Sequence, residues 1–499
     1  MKLKKSKRVA IVFLSAFFYI TTSTFFVLPI QAAPASESDY QTQAEERKEL
    51  PIQSNEIENW PDGPAISAES AILMEANTGV ILYAKNIDEK SYPASTTKLM
   101  TCLITVENSE LNEIVEFSHD AVFSIESGSS NIGIDPGQSM PIEECLYGIL
   151  VASANEVANA VAEHVAGSTE AFADLMNQKA EELGCKNTHF VNAHGLYHEN
   201  HYTTAYDLAL IARACFQNEL ISKIANTSSY HFVATANQPD DFIQRNKHKL
   251  ITGEIAYEGI KGGKTGYTDE ARQTLVTCAE KNGMKLICVV MKEETPDQFH
   301  DTVKLFDYGF SNFSVVNVAE NETRYNIKTS DFFHTSYDVF GNSEPILSLN
   351  QDSYLILPKT VDFEDLTSEI TYDVINENEV ARINYTYHDA YVGTATINFA
   401  EEEVNSYSFN QTSITQDQNG QDQNEKHIIY INIKIVILVI LLIAALAIIV
   451  SIIHDVLINY TFLDNRRNKR HRNRTRKFYK KNRDKDLRFP SSRFRDYDL

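Results

Sequence analysis

One uninterrupted apolar segment near the carboxyl end limits how this 499-residue chain is arranged. Residues 435–453 carry no charged side chain, and a run of that length is just long enough to cross a bilayer as a single helix. A buried core helix is the alternative, but such a helix usually keeps a polar face. The following stretch 461–499 holds 15 lysines and arginines against five acidic residues. The apolar segment therefore predicts a transmembrane helix over residues 435–453. The positive-inside rule places the basic tail over residues 454–499 in the cytoplasm.

The amino end carries the second topological signal. Residues 1–8 are rich in lysine and arginine, an apolar run extends to about Ile30, and small residues follow at Ala32, Ala33 and Ala35. This order is typical of a secretory signal peptide, here 1–35, although the long apolar run leaves an uncleaved anchor open. We therefore expect a single-pass protein of the cell membrane, with the chain between the two segments on the extracytoplasmic side.

The charge of that exported part argues against nucleic-acid binding. The whole chain has a formal net charge of −23 although both of its ends are basic, so the middle is strongly acidic. An acidic surface repels the phosphate backbone. The basic tail beside a membrane helix is a topology signal rather than a nucleic-acid site.

Composition and periodicity divide the exported part into four segments. Strand patterns near 67–83 and 274–291 enclose several helical patterns, which indicates one α+β domain whose sheet is closed by distant segments. A β-rich stretch and a polar linker follow this domain. The predicted boundaries are a polar tether over 36–61, the α+β domain over 62–312, a small all-β domain over 314–400 and the linker over 401–427.

Ser95 and Lys98 carry the first of three short motifs that stand in a fixed order. A spacing of three places both side chains on one face of a helix, and Pro93 indicates that this helix begins beside them. The N–H groups of a first turn stabilise negative charge, and the apolar residues after Lys98 desolvate its amine and lower its pKa. A neutral lysine then accepts the proton of a nucleophilic serine. A capping serine with an exposed lysine is the alternative that the spacing leaves open.

Ser153 and Asn155 form the second motif, between two apolar helical stretches. A hydroxyl at this point is suited to relay a proton, and an amide is suited to hold a substrate carbonyl group. Both residue types are also good helix caps, so this motif alone decides nothing.

Lys264-Thr265-Gly266 is the third motif, just before the strand pattern that begins at Thr274. The lysine is suited to bind a carboxylate, the threonine adds a hydroxyl donor, and the glycine lets a substrate backbone approach. A phosphate-binding loop ends in similar letters, but it needs a glycine where this chain has Glu258. The neighbouring Lys261 is a competing candidate that the register disfavours.

The segments that carry these motifs resemble the serine D-Ala-D-Ala carboxypeptidases, the low-molecular-mass penicillin-binding proteins of peptidase family S11. The similar stretches are 92–101, 189–196, 203–209 and 263–268, within a resemblance that covers roughly 62–312. It implies a penicillin-binding/β-lactamase-like transpeptidase domain. The implied partners are peptidoglycan stem peptides ending in D-Ala-D-Ala, with β-lactam antibiotics as inhibitors, and no metal or organic cofactor.

The resemblance also assigns roles by position. Ser95 is the expected nucleophile, Lys98 the general base, and Ser153 with Asn155 assists proton transfer and positioning. The expected substrate-binding residues are Lys264, Thr265, Gly266 and Tyr267. Lys264 and Thr265 would hold the terminal carboxylate, and Gly266 would let the substrate backbone approach. The backbone N–H of Tyr267 would complete the oxyanion hole.

Two departures from the family pattern bear on substrate preference. The chain has Arg272 where relatives often have glycine, and an arginine there would aid carboxylate binding or narrow the cleft. The stretch 245–250 matches the usual Asn-x-Asn pattern poorly. The histidines of the middle signature, His189 and His194, are interpreted as structural residues rather than metal ligands. The six cysteines lack a CxxC pair and are interpreted as structural thiols, with a disulfide left open.

Three other functions share parts of this pattern. A β-lactamase has the same three motifs, but it needs neither the β-rich stretch nor the membrane helix. A D,D-endopeptidase would use the same site on cross-linked peptides. A non-catalytic wall-binding or penicillin-sensing membrane protein is the third, which the intact motifs disfavour.

Overall fold

The computed structural model describes residues 37–325, 347–373, 376 and 378–399. The predicted signal peptide 1–35, linker 401–427, membrane helix 435–453 and tail 454–499 lie outside these residues. Within the described ranges, none of the helices has the length and hydropathy that a bilayer crossing requires.

The described chain contains eleven α-helices and fifteen strands. The α-helices are α1 (Glu37–Arg47), α2 (Lys98–Asn108), α3 (His119–Phe123), α4 (Ile142–Tyr147), α5 (Asn155–Ala166), α6 (Thr169–Glu182), α7 (Ala205–Gln217), α8 (Glu219–Ala225), α9 (Lys249–Thr252), α10 (Asp297–Asn312) and α11 (Val318–Asn321). The strands are β1 (Ser70–Glu75), β2 (Ile81–Lys85), β3 (Ile114–Glu116), β4 (Ser139–Pro141), β5 (Ser229–Phe232), β6 (Phe242–Arg245), β7 (Ile260–Thr268), β8 (Arg272–Lys281), β9 (Met284–Glu293), β10 (Phe313–Asn317), β11 (Leu347–Leu349), β12 (Tyr354–Pro358), β13 (Thr367–Thr371), β14 (Glu379–Tyr387) and β15 (Ala390–Phe399). Short 3₁₀ turns lie at Gln53–Glu56, Ala94–Thr97 and Phe363–Asp365, and a π-helical turn lies at Gly148–Ala152.

A five-stranded antiparallel sheet in the order β2-β1-β9-β8-β7 forms the centre of the domain. Its central strand β9 is apolar on both faces. Ile287, Val289 and Met291 point to one hydrophobic core, while alternate residues point to the other. The sheet joins residues 70–85 to residues 260–293, as the sequence pattern predicts, and it leaves β7 as an edge strand.

Helices cover both faces of this sheet. The amphipathic helix α10 packs Phe299, Leu305 and Phe306 on one side. Helix α2 lies within the opposite core and is buried from Lys98 through Thr105, because α5, α6 and α7 surround it. The predicted α+β arrangement is confirmed.

A β-rich region follows the sheet domain, as predicted. Strand β10 pairs with β12, and β11, β15, β14 and β13 form a four-stranded antiparallel sheet. The buried hydroxyl of Tyr385 donates to Glu322 over 2.7 Å. The ring of Phe313 packs 5.2 Å from the ring of Trp60. Trp60 and the buried residues of the β-rich region therefore belong to one hydrophobic core.

The predicted polar tether over 36–61 is wrong for much of its length. Helix α1 packs on the domain: Arg47 is 6% exposed, and its guanidinium donates to the backbone oxygen of Lys292 over 2.7 Å. The ammonium of Lys85, buried in β2, donates to the backbone oxygen of Arg47 over 2.7 Å. The segment is polar in composition, yet it docks on the domain. Its docking is compatible with buried charge because Arg47 and Lys85 both donate to backbone oxygens.

Candidate active site

Ser95 lies in a tight 3₁₀ turn that leads directly into α2. The preceding Ala94 has a φ of +48°, a left-handed conformation that is unfavourable for a residue with a side chain. Such strain is held only where the surrounding structure imposes it, and it is frequent at functional sites. The turn brings the Ser95 hydroxyl to the surface of the cleft while Thr96 and Thr97 are buried.

Lys98 is fully buried behind Ser95, which excludes the exposed lysine of the sequence alternative. Its Nζ lies 3.1 Å from Ser95 Oγ, 2.7 Å from Asn155 Oδ1 and 2.6 Å from the backbone oxygen of His194. The amide and backbone oxygens only accept hydrogen bonds. A neutral amine therefore directs its two N–H groups at these oxygens and its lone pair at the Ser95 hydroxyl.

The electrostatic surroundings favour this neutral amine. Burial lowers the pKa of Lys98 well below its usual value, and the positive charges of Lys264 and Lys247 lower it further. The buried carboxyl group of Glu156 opposes this effect only in part. Ser95 and Lys98 are thus arranged as a nucleophile and its base.

Ser153 and Asn155 lie where the π-helical turn ends and α5 begins. Ser153 has a φ of +65°, and Ala154 occupies the N-cap position without a side-chain cap, so neither polar residue serves as the helix cap. The Ser153 hydroxyl accepts a hydrogen bond from Lys264 Nζ over 3.0 Å. The turn therefore directs one side chain to each of the two buried lysines.

Lys264 lies on edge strand β7 and is 2% exposed. Its Nζ also donates to the backbone oxygen of Thr265 over 2.8 Å. Burial, with the nearby charge of Lys247, lowers the pKa of Lys264 to about 7. The competing Lys261 is partly exposed and pairs with Glu280 over 3.1 Å, away from the cleft.

Gly266 lets β7 approach the nucleophile turn. A Cβ atom there would lie 2.9 Å from the backbone oxygen of Pro93 and 3.0 Å from the backbone nitrogen of Ser95. These are backbone atoms and cannot rotate aside, so only glycine fits. The approach brings the main chain at Gly266 and Tyr267 to the rim of the cleft beside Ser95.

A cleft of about 710 Å³ joins these residues. Its lining includes Ser95, Ser153, Asn155, Thr265, Gly266 and Tyr267. The structure therefore brings residues from all three motifs to one cavity, with Lys98 and Lys264 hydrogen-bonded to residues that line it.

Residues 126–130 form one wall of the cleft, and no sequence motif indicated this segment. Asn155 N–H donates to the backbone oxygen of Ser130 over 2.8 Å, and Lys247 Nζ donates to Ser130 Oγ over 2.8 Å. Glu156, 1% exposed, accepts the N–H groups of Ile132 and Gly133 at 2.6 and 3.2 Å. Lys247 lines the cleft and lies in the stretch 245–250, whose departure from the family pattern was the available sequence signal.

His194 and the nearby His201 are buried, whereas His189 is exposed. His201 Nδ1 accepts the Val191 N–H, so the neutral ring donates from Nε2 to Thr97 Oγ1 over 2.9 Å. Burial lowers the pKa of His201 and of His194 to about 3. The backbone oxygen of His194 is a partner of Lys98, whereas His189 is a surface residue whose ring binds the backbone of Asn200.

Arg272 does not offer its charge to the cleft. Its guanidinium pairs with Glu294, with an Nη2–Oε2 distance of 2.7 Å, and stacks on Tyr40 of α1. The expectation of direct carboxylate binding by Arg272 therefore does not agree with the structure, since a stronger partner already holds the side chain.

The cysteines form no disulfide among the residues that the structure describes. All six cysteines are free thiols, five of them buried, which agrees with the structural interpretation. In the part of the chain that the structure describes, no group of three or more His, Cys, Asp or Glu side chains could hold a metal ion.

Comparison of this chain with known proteins identifies its family. A family model described as Peptidase_S11, D-alanyl-D-alanine carboxypeptidase, matches residues 57–295. D-alanyl-D-alanine carboxypeptidase DacA of Escherichia coli (strain K12) is 32% identical over 312 residues, which are 60% of this chain and 73% of that relative. The chain belongs to the serine D-alanyl-D-alanine carboxypeptidases of peptidase family S11. This confirms the resemblance predicted from the three motifs.

One further relative and two solved structures are also similar to this chain. D-alanyl-D-alanine carboxypeptidase DacF of Bacillus subtilis (strain 168) is 40% identical over 255 residues, half of this chain and 64% of that relative's length. Penicillin binding protein 6B from Escherichia coli has a TM-score of 0.51 at 26% identity, over 68% of this chain and 98% of that structure. Penicillin binding protein 5 from Haemophilus influenzae, at 24% identity and a TM-score of 0.54, shares the fold over the same fractions.

Proposed function

We propose that this S11 chain is a membrane-anchored carboxypeptidase that removes the terminal D-alanine from peptidoglycan stem peptides through an acyl-enzyme on Ser95. The observation that carries the proposal is the amine of Lys98, with two oxygen acceptors for its N–H groups and Ser95 Oγ at 3.1 Å. A serine with its base already in place is suited to acyl transfer rather than to binding alone.

Acylation begins with attack of Ser95 Oγ on the carbonyl carbon of the penultimate D-alanine. Lys98 accepts the hydroxyl proton and returns it, by way of the Ser153 hydroxyl, to the departing amine, so that Lys98 is neutral again when the ester has formed. The backbone N–H groups of Ser95 and Tyr267 stabilise the oxyanion. The close approach of β7 to the Ser95 backbone nitrogen at Gly266 supports that arrangement.

Substrate orientation depends on the carboxylate of the terminal D-alanine. Lys264, in its protonated form, attracts this group, and the hydroxyl of Thr265, which lines the cleft, donates to it. Asn155 keeps Lys98 aligned through the 2.7 Å hydrogen bond to its amide oxygen. Water then hydrolyses the ester, with Lys98 as base again, and releases the shortened peptide. Penicillins acylate the same serine.

The site faces the outside of the cell in this proposal. The basic leader 1–35, the apolar segment 435–453 and the basic tail 454–499 support a single-pass membrane protein with the catalytic domain on the extracytoplasmic side. Protease treatment of intact cells that express the full chain tests this topology. A tag at the carboxyl end should resist digestion while a tag at residue 376 is removed, and the reverse pattern would exclude the proposed orientation.

The activity is tested with defined peptidoglycan fragments. The full-length chain in detergent should release one D-alanine from a pentapeptide and should hydrolyse penicillin only slowly, whereas Ser95→Ala should do neither. Cleavage of a cross-linked dimer without loss of D-alanine would replace the proposal with a D,D-endopeptidase, and rapid penicillin turnover would replace it with a β-lactamase.

A further inference from the structure

Arg272 has an unusual backbone and a fixed side chain. Its φ of +53° places an arginine in the left-handed region that favours glycine. The guanidinium nevertheless is well held: Nη2 donates to Glu294 Oε2 over 2.7 Å, and Nε lies 3.2 Å from both carboxylate oxygens of the same residue. A bidentate pair of this kind fixes the orientation of the guanidinium. The side chain is 17% exposed, so the backbone strain accompanies a defined position.

The free edge of this guanidinium reaches the active-site rim. Nη1 of Arg272 donates to the hydroxyl oxygen of Tyr267 over 3.3 Å, and its Cζ atom lies 5.6 Å from the centre of the Tyr267 ring. Tyr267 is about half exposed and lines the cleft beside Ser95. Its hydroxyl also donates to Asp269 over 2.9 Å. Arg272 and Asp269 therefore both hold the hydroxyl group at the end of the Tyr267 ring.

Helix α1 covers the other side of Arg272. The Cζ atom of Arg272 lies 3.8 Å from the centre of the Tyr40 ring, a close cation–π distance. The end of the same helix is anchored on the sheet, where Arg47 lies 3.7 Å from Glu294 and Lys85 binds its backbone oxygen. The helix thus contacts both Arg272 and the carboxylate that pairs with it.

We propose that Arg272, held by Glu294 and by the Tyr40 ring of α1, is a positioning residue for Tyr267 on the substrate-binding rim. This inference rests on the proposed function, because it assigns the rim to binding of the stem peptide. Loss of the Arg272 contact frees the Tyr267 side chain at the rim of the cleft, and loss of the Tyr40 ring loosens the guanidinium that holds it. Binding weakens, while Ser95 and Lys98 keep their geometry.

Two variants test this with different disturbances. Tyr40→Leu removes the aromatic face but keeps an apolar side chain of similar size, and Arg272→Ala removes the guanidinium while retaining a Cβ at the strained φ. The matched control is Lys48→Ala, since Lys48 follows the end of the same helix and its ammonium pairs with the exposed Glu45 over 2.7 Å. The full-length chain in detergent is assayed for D-alanine release from a pentapeptide and for thermal unfolding.

We expect Tyr40→Leu and Arg272→Ala each to raise KM by about tenfold with kcat within about twofold of the wild type, and Arg272→Lys to restore part of the loss. Lys48→Ala should leave KM unchanged. An unchanged KM for Tyr40→Leu and Arg272→Ala in an active enzyme would overturn this inference alone. A loss of kcat in proportion to a lower melting temperature would also overturn it, because that is the effect of a purely structural contact. A wild type that releases no D-alanine would overturn the proposed function as well.

Discussion

The amine of Lys98 lies 3.1 Å from the hydroxyl oxygen of Ser95, one helical turn away in the sequence. The helix start alone brings these two residues together. The protonation state of the lysine, in contrast, depends on distant segments, since Asn155 and His194 supply the oxygens that accept its N–H groups. The nucleophile and base are thus a local pair that tertiary contacts activate.

Replacement of Lys98 separates its function as a base from its structural role. Lys98→Met keeps the length of the buried side chain but has no lone pair of suitable basicity, so we expect the rate of penicillin acylation to fall on the order of 1,000-fold. Lys98→Arg, which remains charged, should be equally slow. Stopped-flow acylation with a fluorescent penicillin measures this rate. Acylation of Lys98→Met near the wild-type rate would rule out Lys98 as the base.

The pH dependence reports the two buried lysines separately. Lys98 acts when neutral, and its lowered pKa makes that form available near neutral pH. Lys264 binds a carboxylate when charged, so kcat/KM should fall as the pH rises through about 7, the value to which burial lowers its pKa. Lys264→Arg keeps its charge and should shift this alkaline limb upward. Pentapeptide hydrolysis between pH 5 and 10 provides the profiles, and an identical alkaline limb in Lys264→Arg would contradict the assignment.

Gly266 and Gly148 form a matched pair for the close approach of β7. Gly266→Ala places a methyl group 3.0 Å from the Ser95 nitrogen, so we expect acylation to slow on the order of 100-fold and stability to fall by about 1–3 kcal/mol. The atoms nearest to a methyl group at Gly148 belong to the side chains of Val157 and Ile132, at ordinary distances of 3.4 Å or more. Gly148→Ala should therefore react at the wild-type rate. Equal acylation rates for the two variants would contradict a requirement for the close approach of β7 at Gly266.

Much of the site follows from the sequence because its parts are local. The SxxK spacing, the glycine in the third motif and the continuous apolar run of β9 each reflect one helix turn or one strand. The docking of α1 does not follow in the same way, since it depends on Arg47 meeting Lys292, 245 residues away. Glu156 and Lys247 were missed for the same reason: a charged residue reveals its role only when its burial and partners are known.

Buried histidines should make the fold less stable in mild acid. Burial lowers the pKa of His248, which hydrogen-bonds Thr277 over 2.8 Å, to about 3. The unfolded chain binds the proton near pH 6.5, so this contribution to stability is present above that pH and is lost as the pH falls toward 3, by up to about 1.4 kcal/mol per pH unit. His248→Gln should flatten the decline in urea-unfolding free energy between pH 6 and 4. The exposed His119→Gln is the control, and equal slopes in both variants would contradict this explanation.

The most direct measurement is peptide mapping by mass spectrometry after the full-length chain has reacted with benzylpenicillin. We expect one stable adduct on the peptide that contains Ser95, complete in the wild type and absent in Ser95→Ala. An adduct on any other residue, or an unmodified Ser95 in protein that remains folded, would contradict the central claim that Ser95 is the acylated nucleophile.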